Sequence, residues 1–360
     1  MKKSLIAMAV LAASGAAMAQ SSVTLYGIAD VWVGSVEKDQ DAGLRADGTI
    51  GVATSTSTTS MISGGVSTSR WGMKGSEDLG GGLKANFQYE AGVSVDTGAS
   101  ADFTRQAWVG VSGGFGDVRF GKISSPYDNN SGTSNAVFDS DLAPTNGPGG
   151  AVFASGDYVS KVNNAIYYKT PSMGGFAADV MYSLDEDAAK PAVLANPVTF
   201  TPAVDAVDAV SVTGAGLTYA GGPFAAQFVY QKDDYQFKAN DETFMRLGAS
   251  YNLGVAKIKA IYANVDNTNN TTGSTDEWML GADVPFGAAT LSASYASSTD
   301  DAAVNPVLGE VERTGYGAAV AYSLSKRTTV YGGAKYVQDD QGAGADIDYT
   351  VYAVGIKHAF

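Results

Sequence analysis

The side chains that could do chemistry in this sequence are charged residues placed at every second position of apolar segments. At the C-terminal end, bulky apolar residues and His358 alternate with small or charged ones: Tyr352, Val354, Ile356, His358 and Phe360 against Ala353, Gly355, Lys357 and Ala359. Because successive strand side chains point to opposite faces, the charged face is separated from the apolar one. Charges fixed along such a face act on ions and dipoles through their field. We therefore expect Arg246, Lys257, Lys335 and Lys357 to face water.

The sequence lacks the residues that enzyme chemistry needs. The chain contains no cysteine, and its one histidine, His358, lies on the apolar parity near the terminus. A Ser–His hydrolase pair has no suitably placed base, and clusters of His or Cys that would bind a metal are impossible by count. No glycine-rich phosphate-binding loop leads into a helix. The sequence predicts neither an enzyme nor a cofactor.

The N-terminal segment has the features of an export signal. Lys2 and Lys3 precede an apolar run over residues 5–13, and small residues at 17–19 suit a signal peptidase. We predict a signal peptide over 1–19 and a single domain over 20–360. The formal charge of the full chain is −14, and removal of the two lysines makes it −16. An acidic chain of this kind argues against nucleic acid as a partner.

Strand periodicity continues along the predicted mature chain. Residues 83–90 show it most clearly, with Leu83, Ala85, Phe87 and Tyr89 alternating with Lys84, Asn86, Gln88 and Glu90. The same pattern recurs at 245–253, 278–286 and 316–322, whereas residues 37–62 form a polar loop in this interpretation. Beyond the signal, no apolar run reaches the roughly 18–20 residues of a membrane helix. The polar parity contains most of the charged residues.

Short and long connections take turns between the segments, which predicts that strands run up and down. Roughly sixteen strands give an all-β fold, a transmembrane antiparallel β-barrel with short periplasmic turns and long extracellular loops. A sheet in a bilayer must close on itself, so the first and last strands should pair. A barrel of this size encloses water. The alternative is a soluble β-sandwich, but nothing in the sequence supplies a layer to cover each apolar face.

Seven motifs in order resemble those of a known family. They are SVTLYG at 22–27, SRWGMKGSEDLG at 69–80, GGLKANFQYE at 81–90, TRQAWVG at 104–110, FGK at 120–122, NNAIYYKTP at 163–171 and VGIKHAF at 354–360. Together they make the chain similar, over its mature length, to the trimeric general-diffusion porins of Gram-negative bacteria. Each motif is weak alone, and their order and spacing make the resemblance specific.

The resemblance implies that the third long loop, residues 124–160, folds into the lumen and narrows it. A loop of this length is usually functional. The implied basic residues of the pore constriction are Arg70, Arg105, Arg119 and Lys161, and the implied acidic ones are Glu90, Asp139 and Asp141. Lysine stands at 161 where relatives often carry arginine, so the charge is kept and the planar fork is absent.

The predicted function is passive diffusion of small hydrophilic solutes and ions across the outer membrane, with weak anion preference or none. A solute-specific channel on the same barrel, and a non-conducting barrel acting as an adhesin or structural anchor, are the alternatives. The resemblance implies a homotrimer in contact with outer-membrane lipid and lipopolysaccharide. It also implies that the outer-membrane assembly machinery recognises the chain through Phe360.

Overall fold

The structure, a computed structural model, describes residues 22–44, 48–100, 102–184, 210–235, 241–267, 273–301, 310–342 and 344–360. The predicted signal peptide, residues 1–19, lies outside the described residues. None of the helices in these ranges is long and apolar enough to cross a membrane.

Antiparallel strands close into one barrel. The strands are β1 Ser22–Gln40, β2 Thr54–Ser63, β3 Arg70–Gly80, β4 Leu83–Gly92, β5 Gln106–Gly113, β6 Gly116–Ser124, β7 Lys161–Lys169, β8 Phe176–Ser183, β9 Val210–Gly221, β10 Phe224–Tyr235, β11 Glu242–Asn252, β12 Lys257–Asn267, β13 Ser274–Phe286, β14 Ala289–Asp300, β15 Val311–Ser323, β16 Thr328–Asp340 and β17 Ile347–Ala359. From β3 onward each strand pairs with the next. β17 then pairs with β1 over Ile28–Gln40, and Gly27 and Phe360 exchange backbone hydrogen bonds of 3.1 and 3.0 Å. The predicted pairing of the terminal segments is confirmed.

Sixteen of the strands form the barrel and β2 is additional. It pairs with the second half of β1, Val31–Gln40, while β3 pairs with the first part of β1, Ser22–Ile28, along the same edge. The expectation of a polar loop over 37–62 was therefore wrong. The segment TSTSTTSMIS has the β-branched residues that favour strands. It lacks apolar alternation, which was the signal on which the prediction relied, and most of its side chains are exposed.

The two faces of the wall differ as the alternation predicted. Apolar side chains on the outer face are widely exposed, with Leu247 at 55% and Val354 at 66%. On the inner parity Arg246 and Lys335 are covered, at 7% and 1% exposure. Lys257 and Lys357 lie on that same parity, so the ionisable residues face the interior.

Residues 125–160 form the third long loop, which lies inside the barrel. It contains a short helix, α1, at Pro126–Asn129 and 3₁₀ turns at Ser131–Thr133, Val137–Asp139 and Ala154–Gly156. These turns pack on the inner wall from β8 to β15. Two wall glycines make the approach possible: a Cβ on Gly248 would lie 2.3 Å from Ser134 Oγ, and one on Gly317 would lie 2.1 Å from the Leu142 carbonyl oxygen.

Candidate functional site

Three of the predicted site residues meet on the part of the wall opposite the loop. Glu90 of β4 lies between Arg105 and Arg70: its Oε1 accepts from Arg105 Nε at 2.8 Å and is 3.9 Å from Arg70 Nη1. The Tyr26 hydroxyl donates to Oε2 at 2.9 Å and accepts from Gln88 Nε2 at 2.7 Å. Two cations and one carboxylate are thus held in fixed orientations, with a net charge of +1.

Lys161 joins the loop to the wall instead of standing free. It begins β7, and its ammonium group is ion-paired with Asp128 of α1. The Tyr158 hydroxyl also donates to Asp128, at 3.2 Å. Burial, together with the neighbouring Asp128 carboxylate, raises the pKa of Tyr158, so the hydroxyl remains a donor.

Asp128 was not among the predicted residues, although a local signal marks it. Ser125 caps α1 by accepting from the Asp128 amide at 3.2 Å, and Pro126 occupies the first helical position. Serine at the cap followed by proline is a helix-start signature, and an acid in the first turn is favoured there. The Ser-Pro-Tyr-Asp sequence could therefore have indicated Asp128.

Arg119 lies nearer the short turns than the other predicted bases. On one edge of β5, Arg119 is paired with Gly110, and on the other edge Glu90 is paired with Gln106. The two positions of β5 are four residues apart, which corresponds to about 13 Å along the strand. Arg119 Nε and Nη2 both donate to Asp117, at 3.0 and 2.7 Å. Its guanidinium also lies 4.4 Å from the centre of the Trp108 ring. The structure thus separates Arg119 from the Arg70–Glu90–Arg105 group.

The two predicted loop acids have different surroundings. Asp139 is exposed, and its Oδ1 accepts from the side-chain amides of Asn135 and Asn146, each at 2.8 Å. Its φ of 55° follows two other left-handed non-glycine residues, Val137 and Phe138. A run of this kind persists only where packing enforces it, and here the Val137 side chain is fully buried.

Asp141 points back toward the wall. Its Oδ2 accepts from the Trp32 indole N–H of β1 at 2.9 Å, and burial raises its pKa. Its side chain is therefore part of the contact between the loop and β1.

Two wall residues hold the loop in place and carry no sequence signal that would distinguish them from other lumenal charges. Lys335 of β16 donates to three loop carbonyls: Asn146 at 2.7 Å, Pro148 at 3.0 Å and Gly150 at 3.0 Å. Glu277 of β13 accepts from both the backbone N–H and the hydroxyl of Ser155. Because both wall residues are fully buried, loss of either would leave unsatisfied polar groups.

The geometry suits a passage lined by charges more than a reaction centre. Arg70 of β3 and Arg105, just before β5, occupy wall that the loop leaves open, and the loop presents carboxylates from the other side of the lumen. Within the described ranges, no three His, Cys, Asp or Glu side chains are grouped so that they could hold a metal ion.

Comparison with known proteins gives the same architecture. The profile of the family described as Gram-negative porin matches residues 5–356. The chain belongs to the Gram-negative porins. It is 36% identical to outer membrane porin protein 32 of Delftia acidovorans and 31% identical to an outer membrane porin protein of Bordetella pertussis, each over 100% of both chains. A solved anion-selective porin from Comamonas acidovorans is 29% identical, with a TM-score of 0.70 over 95% of this chain and 100% of that one.

This porin is therefore a passive diffusion channel of the outer membrane. The predicted fold, sixteen barrel strands with a loop folded inward, is confirmed. Its relatives are porins, which are channels and not enzymes.

Proposed function

We propose that the wall cations and the loop acids form a charged constriction that sets the size and charge selectivity of this porin for small hydrophilic solutes. The observation that supports this most is the Arg70–Glu90–Arg105 group on open wall, facing a loop that occupies the other side of the lumen. Lys161 and Asp128 belong to the constriction as the pair that fixes where the loop starts.

The constriction works through a transverse field. Positive charge on one side and Asp139 on the other orient dipolar solutes as they pass, and low-dielectric walls focus that field. Asp141 contributes negative charge from behind the loop while it binds Trp32. Arg119, paired with Asp117, acts lower in the lumen and more weakly.

The charge balance favours a weak anion preference or none. The group around Glu90 has a net charge of +1, and the Asp128 carboxylate is compensated by Lys161. Asp139 opposes that charge from the loop, while Asp141 lies near the cation of Lys335. The negative charge of the whole chain sits largely at distances where salt screens it, so the narrowest part dominates. The similarity to an anion-selective porin from Comamonas acidovorans supports the same sign.

The assembled form that we propose is a homotrimer in contact with outer-membrane lipid and lipopolysaccharide. Each chain is exported with a signal peptide that is cleaved after Ala19. The terminal Phe360, whose backbone closes the barrel against Gly27, is the proposed recognition point for the assembly machinery.

A reversal-potential measurement in a KCl gradient tests the selectivity. Arg105→Gln should move the potential toward cations more than Arg119→Gln does, because Arg105 belongs to the constriction and Arg119 lies below it, paired with Asp117. Equal shifts from the two variants, or a larger one from Arg119→Gln, would contradict the proposed placement of the constriction.

A further inference from the structure

The inward loop and an arginine of the wall line a hollow inside the barrel. The hollow has a volume of about 230 Å³, and its lining includes Asp128, Asp139, Asn146, Phe153 and Tyr158 of the loop and Arg246 of β11. This volume is below the roughly 300–1,000 Å³ of pockets for drug-sized ligands, so the hollow suits a small solute.

Arg246 lacks the partners that a buried cation requires. It is only 7% exposed, and its guanidinium carbon lies 4.1 Å from the centre of the Tyr127 ring. Its Nε and Nη1 are buried and have no hydrogen-bond partner in the part of the chain that the structure describes. The neighbouring carboxylate, Glu277, already accepts two hydrogen bonds from Ser155. A buried cation without its full set of hydrogen bonds is costly, and a guanidinium group donates strong, charge-assisted hydrogen bonds to a carboxylate.

A carboxylate of the loop lines the same hollow. Asp139 is exposed and is held by two amides, from Asn135 and Asn146, rather than by a cation. Charges of both signs therefore line one small space, with Arg246 buried and Asp139 exposed. A free anion would meet repulsion from Asp139, and a free cation would meet repulsion from Arg246. A solute carrying both charges satisfies both groups.

We propose that this hollow binds small zwitterions of the α-amino-acid class, with the carboxylate on Arg246 and the ammonium group on Asp139. The site rests on the proposed function, because it is useful only if the loop lines a conducting lumen. It would raise the local concentration of amino acids beside the constriction.

Saturation-transfer NMR on the detergent-solubilised porin tests the site, with L-alanine, propionate and ethylamine as probes in 0.1 M KCl. Alanine carries both charges at neutral pH, and the other two carry one each at similar size. Alanine should bind at least tenfold more tightly than either, since each lost charged contact weakens binding by about that factor. Propionate or ethylamine binding as tightly as alanine would overturn the proposal.

Two variants and one control locate the site. Arg246→Gln should lower the affinity for alanine about tenfold. Asp139→Asn, at an exposed loop position, should lower the affinity for alanine to that for propionate and should not lower the affinity for propionate. Arg313→Gln is the matched control: this inward-facing arginine is already paired with Asp300 at 2.9 Å and Asp339 at 3.4 Å. Alanine affinity unchanged in Asp139→Asn overturns the site even if Arg246→Gln does not fold.

Planar-bilayer currents of the same preparations separate this inference from the proposed function. Normal KCl currents and reversal potentials without alanine binding would overturn the zwitterion site alone. Absent KCl current in the unmodified porin would overturn the proposed function as well.

Discussion

Reversing the charge of the Arg70–Glu90–Arg105 group should convert the proposed anion preference into a cation preference. Two arginines and one glutamate give +1 at present, and Arg70→Glu with Arg105→Glu gives −3, a change of four charges. Glu90 would still accept from Tyr26 at 2.9 Å. The substituted side chains are partly exposed, at 26% for Arg70 and 18% for Arg105, and belong to no contact between barrel and loop described above, so the barrel itself should assemble.

The size of the effect follows from Coulomb's law. A unit charge about 10 Å from a permeating ion interacts by about 0.4 kcal/mol in water, so four charges change the energy by about 1.7 kcal/mol. Screening reduces this to about 0.6 kcal/mol at 0.1 M salt and about 1.2 kcal/mol at 0.01 M. The effect has opposite signs for chloride and potassium. Their permeability ratio should therefore fall about eightfold at 0.1 M and about fiftyfold at 0.01 M.

The assay is the zero-current potential of single channels in KCl gradients at these two salt levels. Lys326→Glu with Arg327→Glu is the matched control, because it makes the same change of charge in an exposed turn at the end of the barrel. An unmoved potential, or an equal shift from the turn variant, would refute the placement of Arg70 and Arg105 at the constriction.

Three further outcomes are expected. Lys335→Met removes the donor that three loop carbonyls share. Each buried carbonyl left without a partner costs about 1–3 kcal/mol, so the loop should become more mobile. Noisier single-channel currents and faster sugar-driven liposome swelling would show this, and unchanged currents would contradict it. Burial raises the pKa of Asp141 above 3.8, so its folded form holds a proton that the unfolded chain has released, and stability falls as pH rises through that raised pKa. Asp141→Asn should remove this part of the decline in barrel melting temperature with pH; the same decline in both proteins would contradict it. Deleting Phe360, which exchanges two backbone hydrogen bonds with Gly27, should reduce the heat-modifiable barrel recovered from outer membranes; an undiminished yield would contradict its role in closure and assembly.

The wall could be predicted from the sequence because two different solvents act on its two faces. Lys84 and Glu90 lie on the lumenal face while Tyr89 is exposed on the outer face, and this difference produces the alternation in the sequence. The additional strand β2 was not predicted because its polar, threonine- and serine-rich sequence shows no apolar alternation.

The interior of the channel was less predictable. Motif resemblance indicated Arg70, Glu90 and Arg105, which the fold brings together. The hydrogen bonds from Lys335 to the loop carbonyls depend on where the long loop lies, and so does the lack of partners for Arg246 Nε and Nη1. No local sequence pattern indicates that position.

Thiol labelling of single-cysteine variants along β4 tests most directly whether the charged face of the wall lines a water-filled pore. The chain has no cysteine of its own, so every signal would come from the introduced residue. Cysteines at 84, 86 and 88 should react with a charged, membrane-impermeant thiol reagent and change the single-channel current, and those at 83, 85 and 89 should leave it unchanged. Current changes from the second set, or from both sets alike, would contradict a lumen lined by the charged parity.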